Sequence, residues 1–99
     1  MDKKEVIRKV KSLNLDLNEV WVTSSAVLVL HGVKNIARDI DLGCSLNLWN
    51  ELILEGYNYK QFEDRSLAIE LGSDIEIIKE YYVDDIVEIE GIKVGSLEA

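Results

Sequence analysis

The chain has 99 residues, 47% hydrophobic and 30% charged, with 19 acidic against 11 basic side chains and a formal net charge of -8. That length holds one small core, so a single domain over residues 1–99 is expected. The acidic balance argues against general adhesion to nucleic acid, which depends on Lys and Arg releasing counterions from phosphates, and no apolar run approaches the roughly 18 residues of a membrane span.

The opening stretch, "MDKKEVIRKVK", lacks the apolar run of a signal peptide. Its Val6, Ile7, Val10 and Leu13 recur at helical spacing among charges, which predicts an amphipathic helix from about Lys3 to Ser12 with its basic residues on the solvated face. "EVWVT" reads as a short strand, and "SAVLVLHG" as an apolar, buried helix that Ser24 or Ser25 can cap and Gly32 closes. In "RDIDLGC" the alternation turns Ile40 and Leu42 to the core and Asp39 and Asp41 to the other face of a second strand. Cys44 at its end cannot form an internal disulfide, being the single cysteine, and reads as a small core residue of a soluble, cytoplasmic protein. "SLNLWNELILEG" follows as a helix with Trp49, Leu52 and Ile53 on one side, Ser45 or Asn47 as cap and Gly56 as terminator.

From Tyr57 the pattern changes to short alternating runs, "YNYKQFE", "SLAIEL" and "DIEIIKE", with a turn at Gly72 and Ser73; these predict antiparallel strands. "IVEIEGIKVGSLEA" contains a hairpin turn at Glu90 and Gly91, and "SLEA" has the chemistry of a helix start. Asp84 and Asp85, adjacent in "YYVDDIVE", read as turn or loop, and His31 as a helix-end residue with no partners for zinc. The fold class is therefore α/β (α+β): a small mixed sheet with helices packed on it.

Two carboxylates on one face of an otherwise apolar strand need solvent or a cation, because burying an unpaired carboxylate costs several kcal/mol. Only Arg38 is basic close by, and alternation points it away. A hydroxyl-bearing turn at a helix start, followed by an Asp-x-Asp strand and a third acidic strand, suggests backbone N–H groups and a Mg²⁺ ion meeting the same phosphate oxygens.

That order, carried by "SSAVLVLHG", "DIDL" and "DIEII" from about Val20 onward, resembles the polymerase-beta-like nucleotidyltransferase superfamily, particularly its minimal bacterial branch in abortive-infection and toxin–antitoxin systems. The resemblance implies a nucleotidyltransferase-like fold in which Asp39, Asp41 and Glu76 are the catalytic and metal-ligating acids, for Mg²⁺ or Mn²⁺. Ser24 and Ser25 would hold the phosphates of a nucleoside triphosphate, with Lys34 the remaining nearby cation. Asp74, on the same face as Glu76, is the alternative third acid. The resemblance departs where the family's glycines are Ser24 and Ser25 and where its Arg-x-Thr is Asn35-Ile36-Ala37.

Two functions are expected on this basis. The first is transfer of a nucleoside monophosphate from an NTP to a hydroxyl acceptor. The second is a nucleotidyltransferase-fold binding or regulatory module, antitoxin-like or partner-dependent, with reduced catalysis. A protein partner or a homodimer would supply the helices that related enzymes append.

Overall fold

The computed structural model describes residues 1–79, 81–83 and 85–96. They form three helices and a seven-stranded mixed sheet, in the order α1 (Lys3–Ser12), β1 (Val20–Thr23), α2 (Ser25–Leu30), β2 (Ile40–Cys44), α3 (Leu46–Leu54), β3 (Lys60–Gln61), β4 (Leu67–Glu70), β5 (Ile75–Lys79), β6 (Ile86–Ile89) and β7 (Ile92–Gly95). The expected "SLEA" helix start covers residues 96–99, and all of it after Ser96, like Asp84, lies outside the described residues. None of these helices is long and apolar enough to cross a membrane.

Local chemistry sets the helix ends. Asp2 accepts from the Glu5 amide at 2.9 Å and starts α1, which buries Val6 and Val10. Ser45, rather than Asn47, caps α3 by accepting from the Leu48 amide at 3.2 Å, and Gly56, at φ 100, leaves that helix in the left-handed conformation that glycine tolerates best. The buried face of α3 is Leu48, Trp49 and Leu52; Ile53, expected there, is only partly buried. The β6–β7 hairpin turns through Glu90 and Gly91, both at positive φ, as a tight two-residue turn requires.

The strands lie in the order β3-β4-β5-β2-β1-β7-β6. The β2·β5 and β1·β7 pairs are parallel and the other four antiparallel. The Asp-x-Asp strand β2 is thus the middle strand, paired on one side with β1 and on the other with β5. Alternation then gives the sheet two unlike faces. Val20, Val22, Ile40, Leu42, Ile77 and Val94 point one way and are fully buried with Val6, Val10, Leu30 and Leu52 from the helices. Cys44 belongs to that core, where burial, and then the charge of Glu19, push its thiol up to about 11 and keep it protonated.

The opposite face carries Trp21, Thr23, Asp41, Gly43 and Glu76. Part of it is covered by the segment after β5. The Trp21 indole N–H donates to the Tyr81 carbonyl at 2.7 Å, and the Tyr82 ring stacks on the indole with centroids 5.7 Å apart. Gly43, the register partner of Trp21, lies beneath this contact, and a Cβ there would overlap both the indole and the Tyr81 carbonyl. The glycine is what lets Tyr81 and Tyr82 close over the sheet.

Candidate functional site

The register assembles a polar row across four strands. Thr23 of β1 lies opposite Asp41 of β2, Asp41 opposite Glu76 of β5, and Glu76 opposite Glu70 of β4. Three carboxylates therefore stand side by side, with a hydroxyl at one end. Thr23, though buried, is satisfied by donating to the Asp41 carbonyl at 2.9 Å. At the other end the Lys60 ammonium of β3 bonds Glu70 at 2.7 Å and Glu76 at 3.2 Å. Like charges directly opposite on neighbouring strands repel, and Lys60 offsets this for Glu70 and Glu76.

Asp41 has no such cation in contact among the described residues. Burial raises its pKa above 3.8, the charges of Asp39 and then Glu76 raise it further, and a hydrogen bond from the Ser24 side chain opposes them. Of these neighbours, Asp39 is exposed and just ahead of β2, and Glu76 is the register partner of Asp41.

Ser24 sits at the N-cap of α2 but makes no side-chain capping bond. Its backbone is at φ 58 and ψ -143, close to a region that only glycine visits freely and that costs a side-chain-bearing residue roughly 1–3 kcal/mol. The expectation that Ser24 caps the helix through its hydroxyl is therefore corrected: Ser24 holds the N-cap position without a side-chain capping bond. Ser25 is the first residue of α2 and shares the turn.

Two expected residues are elsewhere. Asp74 precedes β5, where strand alternation no longer governs direction, and its carboxylate pairs with the Lys9 ammonium of α1. Asp74, the expected alternative third acid, is thus drawn to α1, whereas Glu76 is the register partner of Asp41. Lys34 is exposed in the loop beyond the C-terminal end of α2, at the other end of that helix from Ser24, and is not brought to Asp41. His31 ends α2, its Nε2 3.0 Å from the Gly95 carbonyl. Asp85 lies outside the strands, as expected of a turn or loop.

Beside the row, a cleft of about 480 Å³ runs from Thr23 and Ser24 between Val27 and Leu28 of α2 and the segment of Tyr81, Tyr82 and Val83. Sequence alone did not single out Glu70, Lys60, Thr23 or the two tyrosines. Their alternation was visible, but the register that aligns them is set by long-range pairing.

No protein-family model matches the chain, and no match was found among curated proteins or solved structures.

Oxygen donors in the site suit a hard divalent ion such as Mg²⁺. Among the described residues no three His, Cys, Asp or Glu side chains stand as a ready metal cage, and Glu76 is engaged by Lys60. The donor set fits such an ion by its chemistry, Asp39 and Asp41 being carboxylates without a counter-charge in contact among the described residues.

Proposed function

We propose that the chain is a nucleotidyltransferase-like domain that binds an NTP with Mg²⁺ or Mn²⁺ and transfers its nucleoside monophosphate to a hydroxyl acceptor. The observation that carries this reading is the central parallel pairing that sets Asp41 opposite Glu76, with Asp39 and Ser24 both acting on Asp41. The order of parts, which resembles that of the polymerase-beta-like superfamily, supports this reading.

In this reading Asp39, Asp41 and Glu76 hold the metal, which when bound neutralises phosphate charge and polarises the α-phosphorus. Ser24 and Ser25 orient the triphosphate at the turn. Glu76 takes the proton from the acceptor hydroxyl as its oxygen bonds to the α-phosphorus, while the bond to the β-phosphate oxygen breaks and pyrophosphate leaves. Asp41, held above its ordinary pKa by burial and then by the charges of Asp39 and Glu76, gains from a cation.

Calorimetry with ATP, in Mg²⁺ or in EDTA, tests binding. Wild type should bind only with Mg²⁺, and a hundredfold excess of ligand over Kd should add about 2.7 kcal/mol of stability. Asp41→Asn should lose both effects. No ATP binding at millimolar ligand, or equal binding in EDTA, would refute the reading.

A second reading is favoured by Lys60 and Ser24 together. With an ammonium already on Glu76 and a Cβ in the phosphate-facing turn, the fold suits a binding or regulatory module with reduced catalysis. Labelled NTP incubated with Mg²⁺ and cell extract separates the two: labelled acceptor supports transfer, and nucleotide binding without any labelled acceptor supports the module.

A further inference from the structure

The cleft beside Ser24 has unlike ends. Thr23 and Ser24 bring one end to the acidic row, since Thr23 is the register partner of Asp41. Away from that end, Val27, Leu28, Tyr82 and Val83 give apolar and aromatic walls, with Asp85 and Ser96 as the polar part of the lining. Leu28 and Tyr82 are 37% and 63% exposed, so two large side chains are left partly uncovered around this opening.

Tyr82 is also braced. One side of its ring rests on Trp21, itself only 7% exposed, and the tyrosine segment is pinned at both ends, by the Trp21 indole on the Tyr81 carbonyl at 2.7 Å and by the Ser96 amide on the Asp85 carbonyl at 2.9 Å. A ring held this way loses little freedom when a second flat group meets it. Between the walls, the strand residue Gly95 leaves space. A Cβ there would lie 3.6 Å from Val27 Cγ2 and 3.8 Å from Val83 Cγ1, between the two sides of the cleft.

A ligand matching this site has a flat aromatic body and an anionic end that reaches Ser24. At about 480 Å³ the cleft is within the range of small-molecule sites. We propose that it receives the nucleobase of the bound nucleotide, with Tyr82 as the stacking platform and the triphosphate directed along Ser24 to the acidic row; the phosphate end of this assignment rests on the reading of that row given above. Stacking on an aromatic side chain tolerates every base, so the site should favour nucleotides over phosphate alone without strict choice among bases.

The test compares Mg²⁺-ATP, Mg²⁺-tripolyphosphate and adenosine by calorimetry. Wild type should bind Mg²⁺-ATP at least about tenfold more tightly than Mg²⁺-tripolyphosphate, the scale expected of one stacked base. Tyr82→Ala should erase that preference while leaving tripolyphosphate affinity unchanged, and Tyr82→Phe should keep it. Gly95→Val, which puts a side chain between Val27 and Val83, should erase it too. Equal wild-type affinity for the two ligands, or a preference that survives both Tyr82→Ala and Gly95→Val, would overturn the proposal. Adenosine binding that depends on Tyr82, together with tripolyphosphate binding that ignores Asp41→Asn, would retain the cleft assignment and remove the acidic-row reading. Binding of none of the three would remove both.

Discussion

The two faces of the sheet obey different rules although the same strands build them. On the helix-covered face, Val22, Ile40, Leu42, Ile77 and Val94 are completely buried apolar side chains, each consistent with its strand. On the other face the neighbouring residues break local rules: carboxylates stand opposite one another, Ser24 adopts a backbone suited to glycine, and Gly43 interrupts the central strand. Apolar packing and the polar row are thereby separated by a rotation of half a turn along β2. Such departures gather at sites where chemistry, rather than folding, selects the residue.

Adjacent residues 41 and 42 offer the sharpest way to break this comparison. Leu42→Ala should destabilise the fold by about 2–5 kcal/mol, since it opens a cavity at a fully buried position in the central strand. Urea denaturation of wild type and variant measures this. A loss under about 1 kcal/mol would mean that the helix-covered face is not where the fold is held.

An intermediate effect of the opposite sign is expected at the turn. Ser24→Gly should stabilise the domain by about 1 kcal/mol by relieving the left-handed strain, less the entropy that glycine adds to the unfolded chain. It should also push the Asp41 pKa further up, because the opposing hydroxyl is gone. Carboxylate titration by NMR alongside the melts reads both, and a destabilised glycine variant would refute the strain argument.

The smallest effect is at Asp41. Asp41→Asn should lie within about 0.5 kcal/mol of wild type in the absence of ligand, on the more stable side. Its sign depends on pH. The Asp41 pKa is raised above 3.8, so between 3.8 and the raised value the native state holds more protons than the unfolded chain, and the group's contribution to stability falls as pH rises. Above that window the native state keeps the full repulsion. The advantage of Asn over Asp should therefore grow through the window and then level off. A constant difference from pH 3 to pH 8 would show that neither burial nor the charges of Asp39 and Glu76 raise the Asp41 pKa in the native state.

Much of the fold was legible in the residues because it is local. The amphipathic spacing of Val6 and Val10, the Ser45 cap, and the Glu90-Gly91 turn each depend on side chains within a few positions, and each occurs where the spacing predicts it. Alternation also told which side of β2 Asp41 would take. It failed for Asp74, which lies just outside its strand and turns to Lys9 on a helix 65 residues away in sequence. The candidate acids were thus readable as residue types, while their neighbours were not.

By itself, then, the sequence determined the order of helices and strands and most of the side chains that each presents to the core, since periodicity and capping act over one or two turns. Only the tertiary structure decided that β5 lies beside β2 in a register setting Glu76 against Asp41, that Lys60 and Glu70 extend the row, and that Tyr82 settles on Trp21 across Gly43. Those outcomes depend on pairings between residues far apart in the chain, where the alternation shared by every strand permits many registers. The choice among them falls to the joint packing of the helices on one face and the close fit of glycine beneath indole on the other.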